Sequence, residues 1–441
     1  MSDSQQEALL ERIAELEKTV AEQTGTIAQQ TKRIAELEKC LARYENAHTP
    51  PSMSLYNTYP IKPNGNKRPG RAQGHEGSGR ATPDIIHRHK LLKLKVCPHC
   101  GRKVRCKSKR KRVVTDIKPG VAENTEYEIE RGFCGSCKKF VEPVIVEALP
   151  NSRFGLSFAL YISFLSVLGI TLSKIKTILL HDYGFSVSKG TIANTIEQLA
   201  GYLGEDYERL RLQLLQQHDV FADETSSPIH GKNAWLWTFI GQTVAYLTVN
   251  KSRGQKIVEK NLKGYKGILH SDFWSAYNKL KCDKQKCLAH LTRELKHLRD
   301  KTRSPELKTY CNRLLNLLRY AQKENRHSTD FRQFCEKRLH AVIDKDYTDK
   351  DCQRLNKRLH RHANEIFTFT EHETETTNNT AERSLRPCVI KRKNTYGNYS
   401  LEGAQAHAVL ASFYQTNQLQ KQNFEKYVGT LIENRLNRTE N

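Results

Sequence analysis

Two short apolar runs in the second half of the chain each lead to an aspartate. The first, His218-Asp-Val-Phe-Ala-Asp-Glu-Thr225, contains Asp223, and the second, Lys266-Gly-Ile-Leu-His-Ser-Asp272, ends at Asp272. A carboxylate at the end of a buried strand either caps the following turn or binds a metal ion. If the two aspartates bind metal ions for catalysis, a third acidic residue is needed beside them.

That residue is Glu382, in the segment Asn378-Asn-Thr-Ala-Glu-Arg-Ser-Leu-Arg-Pro387. Asn379 or Thr380 is predicted to cap a helix whose first turn holds the glutamate, and taken alone Glu382 is a surface acid of that helix. Two strand-end aspartates and a helical glutamate, however, supply the oxygen ligands that a pair of Mg²⁺ or Mn²⁺ ions needs for phosphoryl transfer. Glu294 is the alternative third carboxylate.

The strands that position these acids are predicted at residues 219–223, 234–241, 244–249 and 266–271, with a helix at 255–262 and a fifth strand at 285–289. Three antiparallel strands, a helix and a fourth strand beside the first form the order of ribonuclease H. This order brings Asp223 and Asp272 together at neighbouring strand ends.

Four segments resemble the insertion-sequence-66 type of bacterial DDE transposases, in residues, order and separation: ADET at 222–225, SDFWSAY at 271–277, CLAHLTREL at 287–295 and TNNTAERSLRP at 377–387. The resemblance covers nearly the whole chain. It implies a ribonuclease-H-like core with Asp223, Asp272 and Glu382 as the catalytic triad, DNA strand cleavage and strand transfer, and accessory proteins from the same element. A ribonuclease-H-like nuclease or resolvase, or a non-catalytic DNA-binding regulator, stays open as an alternative.

A structural Zn²⁺ site is predicted from two CxxC pairs, Cys97-Pro-His-Cys100 and Cys134-Gly-Ser-Cys137. Each pair lets two thiolates from one tight turn occupy adjacent corners of a tetrahedron. Cys287 and His290 form a weaker pair three residues apart, for which packing or DNA contact is the alternative to metal binding.

The balance of 72 Lys and Arg against 48 Asp and Glu gives a net charge of +24, which favours double-stranded DNA as the partner. Eleven Lys or Arg residues and no acid lie between Lys90 and Arg112. Residues 172–196 have the outline of a helix-turn-helix, although many helical hairpins look the same. Phosphate or base contacts are predicted for Lys107, Lys109, Arg110, Lys111, Arg112, Lys189, Thr191, Asn194, Arg383, Arg386, Lys391, Arg392 and Lys393.

Residues 5–45 carry a heptad repeat, with Ile13, Val20, Ile27 and Ile34 spaced by seven. Branched residues at this position favour a parallel two-stranded coiled coil, so we expect a dimer; a lone amphipathic helix is the alternative. The uncharged stretch 154–172 is interpreted as buried helix rather than as a membrane span. Mostly unpaired cysteines and no signal sequence predict a cytoplasmic, nucleoid-associated protein.

The predicted fold is a multidomain α+β chain. Its parts are a coiled coil at 5–45, a flexible basic linker at 46–84, a zinc-binding domain at 85–147, a helical DNA-binding region at 148–217, a ribonuclease-H-like core at 218–298 and 372–420, a helical insertion at 299–371 between the two core parts, and a C-terminal tail at 421–441.

Overall fold

The computed structural model describes residues 3–45, 83–118, 120–324 and 326–438. Most of the predicted linker, residues 46–82, lies outside the described residues. The chain divides into two compact units, Met1–Pro60 and Ile61–Asn441, and each is treated by itself below.

The first unit contains one helix, α1, over Asp3–Glu45. Four of its heptad residues, Ile13, Val20, Ile27 and Ile34, are between 45% and 62% exposed. The helical prediction is confirmed. An apolar stripe of this kind is stabilised when a second helix covers it, so the coiled coil stays a prediction.

The second unit begins with a small sheet made of β1 (Arg88–Leu92), β2 (Cys106–Lys118), β3 (Val121–Cys134) and β4 (Lys139–Val141). Strand β3 lies between β1 and β2, and β4 pairs with its end. A small core forms under the sheet from Val114, Tyr127, Ile129, Ile145 and Ala148. The long β2–β3 hairpin therefore carries the second CxxC pair at its base.

Four helices follow: α2 (Leu156–Val167), α3 (Leu172–Tyr183), α4 (Lys189–Tyr202) and α5 (Gly204–Leu214). Thr171 and Ser188 cap α3 and α4 through their side chains, and Gly184 ends α3 with φ of 61°. Two helices joined by a turn are thus present where the helix-turn-helix pattern was predicted, at 172–196, and α4 continues beyond it to Tyr202. The uncharged stretch is broken after Val167, and within the described residues no helix has the length and apolar character to cross a membrane.

Asp116 joins this helical region to the small sheet. Its Oδ1 accepts a hydrogen bond of 2.9 Å from the backbone N–H of Phe158, in the first turn of α2. A side chain at Gly155 would come within 2.1 Å of the Asp116 carboxyl carbon, so only glycine permits this close approach. The acid also offsets the positive end of the α2 dipole.

The central sheet contains β5 (Asp219–Ser226), β6 (Trp235–Ile240), β7 (Ala245–Asn250), β8 (Ile268–Ser271) and β9 (Asp283–Lys286) in the order β7-β6-β5-β8-β9. Strands β5, β6 and β7 are antiparallel, whereas β5, β8 and β9 run parallel. Helix α6 (Gln255–Asn261) connects β7 to β8. The predicted strand order is confirmed. The fifth strand ends at Lys286 instead of continuing to 289, because Cys287 is the N-cap of the next helix.

That helix, α7 (Leu288–Lys301), leads into α8 (Pro305–Glu324), α9 (Thr329–Ile343) and α10 (Lys350–Arg361). The four helices share a core of their own, which includes Leu295, Tyr310, Leu318, Leu339 and Leu359. Helices α8–α10 fall within the residues predicted as a helical insertion, 299–371, and the core that they share begins already at Leu288.

The chain returns to the central sheet through α11 (Asn379–Thr395) and α12 (Leu401–Leu419). Two hydroxyl groups on α12 cover the edge strand: Ser412 Oγ accepts from Leu247 N at 2.8 Å, and Thr416 Oγ1 accepts from Ala245 N at 3.0 Å. The edge of β7 therefore does not present unpaired N–H groups at these positions to other chains.

The predicted C-terminal tail requires a correction, because residues 424–438 form helix α13. Phe424, Val428, Ile432 and Leu436 recur every four residues and are each at most 3% exposed. Their spacing places them on one helix face, which packs into the main hydrophobic core.

Candidate functional site

Asp223 and Asp272 lie on two adjacent parallel strands, just beyond the part where these strands pair with each other. Asp272 directly follows β8, whereas Asp223 lies inside β5, because the strand predicted at 219–223 continues to Ser226. Phe221 of β5 pairs with His270 of β8, and each aspartate follows its paired residue by two positions. Neighbouring strands are about 4.8 Å apart, so the two carboxylates emerge side by side. Asp223 Oδ1 accepts from Glu224 N at 2.9 Å, and Asp272 Oδ1 accepts from Trp274 N at 2.9 Å.

Glu382 stands in the first turn of α11, and Asn378 fixes that turn to the sheet. The N-cap is Asn378 and not Asn379 or Thr380, and its side chain makes no capping hydrogen bond. Instead, Asn378 Nδ2 donates to the carbonyl of Ala222 at 2.8 Å. The predicted cap is corrected because this amide serves the contact between helix and strand. It ties Glu382 to the residue before Asp223.

The carboxylates affect one another electrostatically. Burial, together with the negative charges of Glu224, Asp272 and Glu382, raises the pKa of Asp223 well above its ordinary value. Burial and the charge of Asp272 likewise raise the pKa of Glu224 to about 7. Glu382 Oε1 is buried and has no hydrogen-bond partner. Crowded acids and an unpaired buried oxygen fit a site for divalent cations, whose charge relieves the repulsion.

Sequence reasoning did not identify Lys286 as part of this site. Lys286 is fully buried, and its Nζ donates to Ser271 Oγ at 3.1 Å and to the carbonyl of Asp272 at 3.0 Å. These bonds hold the end of β8 at the point where Asp272 leaves the sheet. The signal in the sequence was a lysine within the fifth strand predicted at 285–289, because a buried lysine needs a partner.

Glu224 was also missed, although it follows Asp223 directly. Its carboxylate accepts from Arg253 Nε at 2.8 Å and from the hydroxyl of Tyr277 at 2.5 Å. The guanidinium of Arg253 lies between Trp235 and Trp274, at 4.6 and 4.1 Å from the ring centroids. Glu224 is therefore engaged in a structural pair, which leaves Asp223 as the acid directed into the site.

The alternative third carboxylate, Glu294, has other partners. It is buried on α7 and pairs with Arg354 at 2.9 Å and with Arg358 of the helical insertion. Two guanidinium groups neutralise the carboxylate, so it does not compete with Glu382 for a metal ion.

The weaker pair from the sequence, Cys287 and His290, lies beside Glu382. The Sγ of Cys287, a ring nitrogen of His290 and a carboxylate oxygen of Glu382 are all within 4.8 Å of one another. Cys282, the other nearby thiol, does not belong to this group. The structure thus brings two residues from the start of α7 to a third from the start of α11.

The four cysteines of the CxxC pairs also converge. Their Sγ atoms lie within 4.8 Å of one another, with 3.8 Å between Cys97 and Cys137 and 3.5 Å between Cys100 and Cys134. The backbone N–H of Cys137 donates to Cys134 Sγ and lowers the pKa of that thiol to about 6. Four thiols at this spacing, one already favoured as thiolate, fit a tetrahedral zinc ion.

The basic residues of β2, for which DNA contacts were predicted, have partners within the protein. Arg110 forms a two-pronged pair with Glu142, Lys109 lies 3.5 Å from Glu128, and Lys111 lies 3.3 Å from Glu126. Arg112 donates to the carbonyls of Leu149 and Ser152, and Lys107 Nζ lies 5.5 Å from the ring centre of Phe133. The run of cations is therefore partly neutralised by β3 and β4, which the sequence pattern did not indicate.

The basic residues of α11 divide into two groups. Arg383, Arg386 and Lys393 are exposed on one face of the helix. Lys391 and Arg392 face the protein: Lys391 Nζ contacts Ser166 and His407, and Arg392 donates to Thr225 Oγ1 and to the carbonyl of Ser226. Burial lowers the pKa of Lys391 to about 8. Only the first group is positioned to meet a phosphate.

The residues predicted on the second helix of the helix-turn-helix pattern lie near the start of α4. Lys189 and Asn194 are exposed, whereas Thr191 is half-buried and lies 2.9 Å from Ser188 Oγ. The exposed pair is accessible to a ligand, and Thr191 contributes to the cap.

Carboxylates on adjacent strands of a mixed α/β core fit a site for divalent metal ions, and the four cysteines fit a structural zinc ion. The family model described as "Transposase IS66 family" matches residues 156–406, which is more than half of the chain. The chain therefore belongs to the transposase IS66 family.

Two uncharacterized proteins of Sinorhizobium fredii (strain NBRC 101917 / NGR234) are similar to this chain. Protein y4qI is 30% identical over 301 residues, which cover 56% of this chain and 53% of the relative. Protein y4jD is 24% identical over 276 residues, covering 54% of each. The chain thus spans about half the length of the curated relatives that it matches.

Proposed function

We propose that this protein is a DNA transposase that binds the ends of an insertion element and catalyses metal-dependent strand cleavage and strand transfer by a DDE mechanism. The observation that supports the proposal is that Asp223 and Asp272 lie on neighbouring strands and that the charges of Asp272 and Glu382 raise the pKa of Asp223, within a member of the IS66 family. The three carboxylates are not among the groups of described residues whose ligand atoms all lie within 4.8 Å of one another, so a metal ion would have to draw them closer. The strand order β7-β6-β5-β8-β9, with two antiparallel and two parallel pairs of neighbouring strands, supports a ribonuclease-H-like core.

Asp223, Asp272 and Glu382 would hold the two Mg²⁺ or Mn²⁺ ions. When bound, such ions lower the pKa of the attacking water or 3′ hydroxyl and stabilise the leaving oxygen. Around them, the chain's own residues set the geometry. Asn378 ties Glu382 to β5, and Lys286 holds the backbone of Asp272. These hydrogen bonds limit the movement of the carboxylates. A displacement of about 1 Å from the productive geometry lowers the catalytic rate strongly.

Arg383, Arg386 and Lys393 extend from Glu382 along the exposed face of α11. Cations in this position attract the phosphate backbone of double-stranded DNA and orient it toward the carboxylates. Further DNA contacts come from the zinc-binding domain at residues 85–147 and from the exposed Lys189 and Asn194 of α4. The exposed heptad residues of α1 pair two chains, and accessory proteins of the same element complete the assembly.

The test is strand transfer with a labelled oligonucleotide that copies the DNA end flanking this gene, a plasmid target, and Mg²⁺ or Mn²⁺. Wild type is compared with Glu382→Gln, with Glu294→Gln, and with Glu375→Gln as a control at an exposed position of the preceding loop. We expect joined product from wild type and the control, and a loss of roughly 10²-fold or more in Glu382→Gln, because several kcal/mol of charge stabilisation is removed.

Other outcomes contradict specific parts of the proposal. Cleavage without joining would indicate a nuclease or resolvase. Loss of joining in Glu294→Gln but not in Glu382→Gln would assign the third carboxylate to α7. DNA binding without any chemistry, even with the accessory proteins present, would indicate a regulator.

A further inference from the structure

Beside the three acids, Cys287, His290 and Glu382 bring three different donor atoms together. Their ligand atoms all lie within 4.8 Å of one another, and His290 Nε2 is 3.6 Å from Glu382 Oε1. Ligands about 2.0–2.1 Å from a tetrahedral ion stand about 3.4 Å apart. The observed separation therefore needs little adjustment to become one edge of a coordination shell.

The backbone fixes two of these donors. Cys287 is the N-cap of α7, and His290 lies three residues later, so both face the same side of the helix start. The backbone N–H of Asn378 donates to Cys287 Sγ at 3.2 Å, and Cys287 is only 1% exposed. The sulfur is therefore held in place beside the start of α11.

The third donor is the carboxylate of Glu382, and a cation would satisfy its buried oxygen. Glu382 Oε1 is buried and lacks a hydrogen-bond partner, although the side chain as a whole is 38% exposed. A buried carboxylate oxygen is costly unless it is paired or bound to a metal. The exposed part of the same side chain gives an ion from solution a path to the group.

We infer that Cys287, His290 and Glu382 bind a Zn²⁺ ion, at a second zinc site separate from the four-cysteine centre. A sulfur, a nitrogen and an oxygen ligand suit zinc, whereas magnesium prefers oxygen ligands only. Three protein ligands leave the fourth position open to water. The inference goes beyond the proposed function and does not depend on it, although Glu382 belongs to both sites and can serve only one at a time.

A rival cluster exists on the helical insertion, where His340, Asp344 and His360 also bring ligand atoms within 4.8 Å. Its side chains are between 43% and 55% exposed, and they pair with one another in ways that are common on protein surfaces. This cluster therefore serves as a comparison in the test.

The test counts zinc bound to the full chain without DNA. Protein saturated with Zn²⁺ is passed through a gel-filtration column and its metal is measured by mass spectrometry. The variants are Cys287→Ser and His290→Gln, with Cys282→Ser and His297→Gln as matched controls on the same part of the chain. Circular dichroism verifies folding, and His290→Gln, at a half-buried position, keeps the test valid if Cys287→Ser does not fold.

We expect about two zinc ions per chain in wild type and both controls, and about one in Cys287→Ser and His290→Gln. In protein loaded with Co²⁺, the cysteine-to-cobalt absorption should fall by about a fifth in Cys287→Ser, because one of five thiolate ligands is removed. About one zinc ion in wild type would overturn the inference. So would a second zinc that persists in His290→Gln or is lost instead in His360→Gln. Failure of strand transfer leaves this count unaffected.

Discussion

At the scale of the residue, Asp219 connects the strands and the loop that surround the candidate site. It begins β5 and is hydrogen bonded to His218 at 2.7 Å, to His270 of β8 at 2.8 Å, and to Thr374 of the loop before α11. One carboxylate thus links the elements that carry Asp223, Asp272 and Glu382. Although burial raises it, these three hydrogen bonds lower the pKa of Asp219 from 3.8 to about 2.

Stability should therefore depend on Asp219 in acid. A carboxyl group with a lower pKa in the folded state stabilises the fold above its ordinary pKa, and this contribution disappears as the pH falls from about 4 to about 2. We expect Asp219→Asn to cost about 1–2 kcal/mol of unfolding free energy near neutral pH, discounted for partial exposure, and almost nothing near pH 2. Urea unfolding across this pH range measures the difference.

The control for this comparison is Asp346→Asn, at an exposed position of the helical insertion, for which the stability should stay within about 0.5 kcal/mol at every pH. A constant difference between wild type and Asp219→Asn from pH 7 to pH 2 would contradict the role assigned to this carboxylate.

At the scale of the element, the contact between α11 and β5 determines where Glu382 lies. Asn378→Ala removes the hydrogen bond to the Ala222 carbonyl and leaves that buried acceptor unpaired, which should cost about 1–3 kcal/mol. Strand transfer should fall further than stability explains, because Glu382 loses its tie to the sheet. Asn379→Ala, at the adjacent exposed position, is the control and should retain both properties. Equal activity of the two variants would mean that the amide does not position the glutamate.

Many of the helices and strands were predicted correctly from the sequence. Apolar runs and turn residues predicted the strands near Asp223 and Asp272, and the helix-turn-helix pattern at 172–196 predicted α3 and α4. These features are local, so they are readable without the fold. The contact of Asn378 with Ala222 joins residues that are 156 positions apart, and no local pattern contains it.

Contacts between distant parts of the chain also explain why some residues of the candidate site could not be predicted from the sequence. The roles of Lys286 and Glu224 depend on partners that only the folded sheet supplies, and the inward direction of Lys391 and Arg392 depends on α2 and β5. Cys287 and His290 were recognised as a pair, but Glu382 joins them only in three dimensions. The C-terminal helix was missed, although Phe424, Val428, Ile432 and Leu436 recur every four residues in its sequence.

At the scale of the whole molecule, α1 is expected to pair two chains. Val20→Glu with Ile27→Glu places charges in the exposed apolar stripe, where a coiled coil would bury them, and should convert a dimer to a monomer. Lys18→Glu with Lys32→Glu adds the same residues on another face of the helix and should leave the dimer intact. Light scattering measures the mass. A mass unchanged by the first pair of substitutions would contradict the coiled coil.

The central claim is that Asp223 binds the catalytic metal ions, and a change of metal preference tests it most directly. Joining of element-end DNA to a plasmid is measured for wild type and Asp223→Cys, each in Mg²⁺ and in Mn²⁺. Magnesium requires oxygen ligands, whereas manganese accepts a softer sulfur ligand more readily. We predict that wild type joins DNA in both ions and that Asp223→Cys joins DNA in Mn²⁺ only. An Asp223→Cys variant that joins DNA in Mg²⁺ as wild type does would contradict the account.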